Sequence, residues 1–500
     1  MKSDKLDILL INPSLDPNRD QKYFKSLKIQ DDVERQQSPY LGIAYMIAVA
    51  KEKGLNIKYH DMPSCGVTVE EVLNTIETQK PTVIGIRAFS VQIQEGNEIA
   101  KLIKTRYPDS NICVGGPHAA AVPEETLNEF EGFDFVIGGE VEYVLVRIAK
   151  ALNKGKPIEN IHGVVSRKGG EILESKMFRS WQENPKRIRT GWPEVENLDE
   201  LPFPAWEEFD LDKYPGSDPH YSALELPMST SRGCPSACGF CYRQFGRFRK
   251  NRSVDSVIAE IERNMNDFGC ESIIFTDETF TSSEEWCHEL FDKMIERGIS
   301  KKLRWSCETR VDTCSLEFMK RMKEAGCYYI FFGFESGSDR ILKESMKGFD
   351  KEYIKQAVDW TNEAGIVAAG SFILGLPGET RATAMETIDY SQTLDMYSIT
   401  FPIAVPFVGT TLRKQAERGD YGLKILTNDW KEYGKQNGRI MESDELSYQD
   451  LLDLQKTAYD GRPKQRLPVE KFLSGTQLAS SLAIENKQES PYVEKIGNIG

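Results

Sequence analysis

The 500-residue sequence contains no run of about 18 apolar residues, the length a helix needs to cross a bilayer. Its opening, MKSDKLDILLINP, lacks the layout of a signal peptide, and the short apolar stretch reads as a first strand. A cytoplasmic protein with no transmembrane segment is expected. An excess of positive charge is missing too. The formal net charge is −14, which argues against nucleic acid as a main partner, because phosphate binding needs a basic surface. One local exception is RQFGRFRKNR, Arg243 to Arg252, which reads either as a solvated loop or as a positive rim beside an anionic cofactor or cluster. No internal repeat is visible beyond an alternation of strand and helix.

The length calls for two or three domains. Across residues 1–150, short apolar strands at Ile8–Ile11, Ile57–Tyr59, Val83–Ile86, Ile112–Val114 and Phe135–Ile137 are separated by amphipathic stretches such as Leu41–Lys53 and Asn97–Tyr107. That pattern predicts an α/β fold with a Rossmann-like, doubly wound parallel sheet, which binds ligands beyond the carboxyl ends of its strands. Residues 151–222 read as a linker with one small hairpin turning at Gly169-Gly170. From 223 to 425 the alternation resumes, with strands near Leu226–Thr230, Ser272–Phe275, Arg304–Cys307, Tyr329–Phe332, Ala368–Ile373 and Ile399–Val405. Six such units predict a partial (β/α)6 barrel of the TIM type, with function on the loops at the strand ends. Residues 426–500 read as a small, mainly helical region, with a helix at Tyr448–Tyr459, and a polar tail.

Ten cysteines are present. Cys65, Cys113, Cys270, Cys287, Cys307, Cys314 and Cys327 are scattered and read mostly as small buried fillers. The other three form SRGCPSACGFC, with Cys234, Cys238 and Cys241 directly after the first barrel strand. Three thiolates on one loop can hold three irons of a cubane and leave the fourth open to a small molecule. A zinc site closed by a distant fourth ligand is the competing reading; the nearest candidates in sequence are His220 and Cys270.

This motif, with aromatic Phe240 before its last cysteine, resembles the signature of the radical S-adenosylmethionine superfamily. The resemblance implies that Cys234, Cys238 and Cys241 bind a [4Fe–4S] cluster. The methionyl group of S-adenosylmethionine then chelates the open iron, and one electron yields a 5′-deoxyadenosyl radical. It covers about residues 224–420, because the other strand ends also match. FTDETF supplies Asp277 and Glu278 for the methionyl amine, although both also suit a helix start. WSCETRVD brings Glu308 and Arg310 to the same rim. FFGFESGSDRIL supplies Glu335, Ser336 and Gly337. GSFILGLPGET places Ile373 at an adenine-contacting position, and Gly375 and Gly378 permit close backbone approach.

Residues 1–150 resemble the cobalamin-binding domain that precedes the barrel in cobalamin-dependent members of that superfamily. GGPHAAAVPEETL and VIGGEVE follow the fourth and fifth strands. The resemblance implies that Pro13, Ser90, Gly115, Gly116, His118, Gly138 and Glu140 line the cofactor. Of five histidines, only His220, in Asp218-Pro219-His220, begins an Asp-x-His-x-x-Gly pattern, and that pattern ends in Ala223. Cobalt is therefore expected to take no histidine on its lower face, with NPSLDPNRDQKY covering it. The function implied is methyl transfer from methylcobalamin to an unactivated carbon of a small-molecule substrate. An external donor such as flavodoxin or ferredoxin would supply electrons. The alternatives are a non-methylating cyclase or rearrangement enzyme, of the kind that closes a tetrapyrrole ring, and a non-catalytic cobalamin or metal-binding module. No catalytic acid–base residue is assigned.

Overall fold

The computed structural model describes residues 5–16, 38–168, 171–174, 192, 194–214, 224–434 and 439–460. The N-terminal sheet contains β1 (Ile8–Asn12), β2 (Ile57–Asp61), β3 (Val83–Arg87), β4 (Ile112–Gly115), β5 (Phe135–Ile137), β6 (Val164–Lys168) and β7 (Glu171–Glu174). Their order is β2-β1-β3-β4-β5-β6-β7. The first five are parallel, as their alternation with helices predicts. Every residue of β1 is buried, which suits a strand covered on both faces. The hairpin foreseen in the linker joins this sheet, with β6 antiparallel to β5 and β7 antiparallel to β6. Its Gly169-Gly170 turn lies outside the described residues, as does the tail beyond 460.

Helices cover the sheet where the apolar periodicity places them. Leu41–Glu52 buries Ile43, Ala44, Ile47 and Val49. Helix Val69–Gln79 starts at a capping box, in which Thr68 and Glu71 each satisfy the other's backbone N–H. The helix foreseen from Asn97 begins a turn earlier, at Ile93, which is itself buried.

The second sheet contains β8 (Glu225–Met228), β11 (Ser272–Phe275), β12 (Arg304–Thr309), β13 (Cys327–Glu335), β14 (Val367–Phe372) and β15 (Ser398–Thr400). All are parallel, in the order β15-β14-β13-β12-β11-β8. Between β8 and β11, the short antiparallel pair β9 (Ser231–Arg232) and β10 (Lys250–Asn251) brackets the cysteine loop. β15 is shorter than the stretch Ile399–Val405 foreseen for it. Pro402 and Pro406 have no N–H to give a ladder, and only a single bridge, Leu374 to Ile403, continues the pairing.

The two faces of this sheet differ. Ile330, Phe332 and Phe334 of β13 are fully buried on the outer face. There Phe275 stacks on Phe280 at 4.8 Å between centroids, and Trp305 on Phe291 at 5.7 Å, joining strands to helix Glu284–Glu296. The alternating residues Tyr329, Phe331 and Gly333 point the other way and are only half-buried. An inner face left partly open is a lumen.

The linker is a structural part of both halves. Trp206 is fully buried, the Ala205 N–H donates to the Ala44 carbonyl at 3.2 Å, and Arg263 of helix Val254–Phe268 donates to the Pro204 carbonyl at 2.8 Å. Tyr214 donates to Asp61 at 2.7 Å. One apolar core thus runs from Ile43 through Trp206 to Val257. Among the described residues no helix is long and apolar enough to cross a membrane.

His60, on β2, is buried with Nε2 3.0 Å from Thr75 Oγ1. Loss of hydration, and then Lys58, push its pKa down to about 4. An unfolded histidine titrates near 6.5, so acidification below that value favours the unfolded chain. The stability His60 contributes is complete above about pH 6.5 and declines as pH falls toward 4. In urea titrations, the gap in unfolding free energy between wild type and His60→Gln should shrink by about 1–2 kcal/mol from pH 7 to pH 5. A gap independent of pH would contradict the assignment.

Candidate functional site

The cysteine loop leaves the barrel at Gly233, whose φ is 95° and where a Cβ would lie 2.1 Å from the Phe248 carbonyl oxygen. Only glycine fits this crossing. Beyond it the loop is held by its backbone. Cys234 N–H donates to Gly246 O at 3.2 Å, Gly239 N–H to Ser345 O at 3.1 Å, and Leu412 N–H to Gly239 O at 2.9 Å. Arg243 donates to Cys238 O at 3.3 Å and Arg247 to Pro235 O at 3.1 Å. Arg249 binds the carbonyls of Thr279 and Phe280. The basic cluster is therefore neither loose nor simply a rim, because its guanidinium groups tie the loop's carbonyls together.

Cys234 is half-buried, Cys238 buried and Cys241 exposed. Their sulfurs share one space. The Cys241 thiol is pushed up to about 11 by loss of hydration and then by the charges of Cys238 and Cys234. Arg310 Nη1 lies 3.7 Å from Cys238 Sγ, and Thr279 Oγ1 lies 3.4 Å from Cys234 Sγ. Among the described residues no three Cys, His, Asp or Glu side chains converge to hold a single metal ion. A cubane distributes its thiolates over three irons and does not require such convergence. Three clustered thiols flanked by a cation thus fit an iron–sulfur cluster.

The neighbouring strand ends divide into supports and open groups. Asp277 is buried and accepts from Thr230 N at 3.1 Å, from Thr230 Oγ1 at 2.8 Å and from Ser231 Oγ, so it anchors the root of the loop. Glu278 faces the cleft and accepts from Gly233 N at 2.6 Å. Loss of hydration pushes its carboxyl up to about 7 against that hydrogen bond. Glu335 ends β13 with φ at 71°, a left-handed conformation that a non-glycine residue adopts only at a cost. Its buried ion pair with Lys347, 2.7 Å, and its carbonyl bond from Ile373 N, 2.8 Å, hold it there. The Ser336 hydroxyl is buried in the turn, 3.0 Å from Thr387 Oγ1. Phe240 and Ile373, far apart in sequence, pack on the same small apolar cluster. Gly375, at φ 84°, donates to Glu379, whose buried carboxyl is pushed up to about 8 by loss of hydration.

In the N-terminal sheet the strand order reverses between β1 and β3, the switch point at which open α/β sheets bind ligands. Leu15 (48% exposed), Phe89 (40%) and Val91 (36%) follow these two strand ends and present apolar surface there. Arg87 is sandwiched 3.8 Å from the Tyr40 ring and 4.2 Å from Phe89. This apolar floor fits a broad, flat ligand such as a corrin. The glycines named from sequence have protein neighbours. A Cβ at Gly116 would lie 2.4 Å from Ala88 O, one at Gly115 3.2 Å from Ile137, and one at Gly138 2.7 Å from the Trp192 indole. Ser90 and His118 meet, with His118 Nδ1 3.0 Å from Ser90 Oγ. His118 is buried edge-on against Trp430, centroids 4.6 Å apart, and loss of hydration lowers its pKa to about 4. Pro13 is buried beside Gly96.

Glu140 lies in the loop after β5, yet its carboxylate reaches the barrel. Arg232 Nη1 donates to it at 2.7 Å and Lys250 binds its other oxygen, while Arg232 Nη2 donates to Glu142 at 2.6 Å. Sequence reading assigned no role to Arg232, Glu142, Lys347 or Glu379 and took Lys250 only as part of the basic cluster, although all but Lys347 lie within motifs quoted from the sequence. Arg232 carried one local signal, its place two residues before Cys234; the others have partners that only folding brings close. Removing one partner of such a buried network strands the remaining charge. Arg232→Met should therefore cost about 3–5 kcal/mol in urea unfolding, and a loss under 1 kcal/mol would show that the network is incidental.

The Radical SAM superfamily profile matches residues 228–391, and the B12 binding domain profile matches residues 34–149. An uncharacterized methyltransferase of Pyrococcus horikoshii is 31% identical over 397 residues, 79% of this chain and 81% of that protein. An anaerobic magnesium-protoporphyrin IX monomethyl ester cyclase of Cereibacter sphaeroides is 27% identical over 395 residues, 77% of this chain and 62% of its own. The structure of the radical S-adenosylmethionine methyltransferase TsrM from Kitasatospora setae, with cobalamin and a [4Fe–4S] cluster bound, superposes with a TM-score of 0.67. It is 18% identical, and the match covers 89% of this chain and 90% of that one. With both profiles in the order the fold requires, and a relative that spans most of the chain, this protein belongs to the cobalamin-dependent radical S-adenosylmethionine enzymes.

Proposed function

We propose that the enzyme transfers a methyl group to a carbon atom of a small molecule held in the barrel lumen. The observation that carries this reading is the shared wall between the two sites. The three-cysteine loop at the end of β8 is anchored, through Arg232 and Lys250, on the loop that follows β5 of the other sheet. When bound, the cluster with S-adenosylmethionine supplies a radical able to remove a hydrogen atom, and methylcobalamin supplies the methyl group. In this reading residues 1–150 hold cobalamin and residues 223–425 hold the cluster, S-adenosylmethionine and substrate.

The chain's own residues have distinct tasks. Cys234, Cys238 and Cys241 hold the cluster, and Arg310 offsets the charge of its thiolates. Glu278, held at the cleft by the Gly233 N–H, meets the methionyl amine, while Asp277 keeps the loop root rigid. Glu335, fixed by Lys347, and the Ile373–Gly375 segment receive the nucleoside. Leu15, Phe89 and Val91 face the corrin with no nitrogen donor among them. On the inner face, Glu308 and Phe331 are register partners, Thr276 follows the end of β11, and the three are wholly or partly exposed. They form a wall that is polar on one side and aromatic on the other, suited to orienting a small substrate. The reading also places the enzyme in the cytoplasm, with electrons from a flavodoxin- or ferredoxin-like donor.

Two experiments test it. Cys234, Cys238 and Cys241 changed together to alanine should leave anaerobically reconstituted protein without cluster iron or its visible charge-transfer absorbance; unchanged iron content would overturn the cluster assignment. With S-adenosylmethionine labelled in its methyl group, mass spectrometry of the turnover product separates the reactions. Label in the product, with 5′-deoxyadenosine formed alongside, supports methyl transfer. A ring-closed product without label favours the cyclase reading that the magnesium-protoporphyrin relative suggests.

A further inference from the structure

Both ends of the cysteine loop stand on one carboxylate of the other domain. Arg232 precedes Cys234 by two residues, and Lys250 closes the same loop where β10 pairs back onto β9. Glu140 takes one of these cations on each oxygen, with Arg232 at 2.7 Å, and Glu142 takes the second donor of Arg232 at 2.6 Å. The carboxylates are 2% and 6% exposed and the Arg232 guanidinium 7%, so water does not substitute for these three groups, while Lys250, 19% exposed, also donates to the Val195 carbonyl at 2.7 Å. The Arg232 guanidinium is also enclosed by the Tyr45 ring at 5.7 Å and the Phe245 ring at 5.2 Å. One oxygen of Glu142 is buried with no partner among the described residues. The cluster loop is therefore tied to the segment Gly138-Gly139-Glu140, which follows β5 and includes Gly139 at φ 85°.

We propose that Glu140 is a positioning residue that couples occupancy of the two cofactor sites. This rests on the reading of residues 1–150 as the cobalamin domain. A ligand seated beyond the strand ends of that sheet restricts the β5 loop, and Glu140 passes the restriction to Arg232 and so to Cys234. A cluster bound by Cys234 restricts the same element from the other side. Because coupling between binding equilibria is reciprocal, each cofactor tightens the other. The linkage also fixes the distance between the two reactive centres, which a radical reaction using both must hold constant.

The test measures cobalamin dissociation constants by anaerobic ultrafiltration of the full chain, with and without the reconstituted cluster. Wild type should bind cobalamin about tenfold more tightly when the cluster is present. Glu140→Gln should bring that ratio close to one, and Glu140→Asp should restore part of it. A merely structural role would weaken cobalamin binding equally in both cluster states and leave the ratio intact, and that result would overturn the proposal. So would a ratio of one in wild type. A second readout needs no turnover: adding cobalamin should change the electron paramagnetic resonance line shape of the reduced cluster in wild type but not in Glu140→Gln. If Glu140→Gln does not fold, Lys250→Met removes one foot of the loop and should lower the ratio; an unchanged ratio counts against the coupling. Absence of any cobalamin binding to wild type would instead sink the functional reading itself.

Discussion

The buried ion network of Arg232, Lys250, Glu140 and Glu142 decides how the two halves of this molecule meet. Charges placed in a low-dielectric interior keep their partners because no solvent competes for them, and they tolerate little displacement. Hydrophobic contact alone is non-directional and would let two domains slide. Here the apolar core running through Trp206 supplies adhesion, and the ion network supplies register. The site depends on that register, since the cysteine loop begins two residues after Arg232 and its far end is held by Lys250.

On β13, alternation of side chains separates stability from function. Ile330, Phe332 and Phe334 disappear into an aromatic layer against the helices, while Tyr329, Phe331 and Gly333 face an unfilled interior. In a closed barrel of eight strands the inner residues pack against one another in layers. A sheet of six parallel strands with free edges leaves that interior open. The same economy appears in the loop supports. Asp277, Ser336 and Glu379 saturate backbone and hydroxyl groups at the rim, and so leave Glu278, Arg310 and the three thiols in fixed positions around one space.

Glycine shows where reading by type stops. The resemblance assigns the paired glycines after β4 and β5 to a cofactor, and in the fold no Cβ fits at Gly116 or Gly138 without displacing a protein neighbour. What approaches could not be read, because the neighbours are the Ala88 carbonyl and the Trp192 indole, from other parts of the chain. Phe89 and Val91 went unremarked for a related reason, and Leu15 entered only as part of the Asn12–Tyr23 segment, of which residues beyond Asp16 lie outside the described residues. Single apolar residues in loops carry no pattern, and they become a surface only when β1 and β3 lie side by side.

Local rules acting over a few residues were enough for much of this protein. Hydrophobic periodicity determined the two parallel sheets and their order along the chain, capping residues such as Thr68 and Ser253 set helix starts, and the spacing of Cys234, Cys238 and Cys241 carried the resemblance to the radical S-adenosylmethionine signature. Tertiary structure alone decided which charges meet. Glu140 and Arg232 are separated by 92 residues, and Glu335 is held in a strained conformation by Lys347 from the far side of a helix. Pairing of that kind leaves no periodic trace in a sequence. It depends on through-space distance and on the exclusion of water, and both exist only once the two sheets have packed.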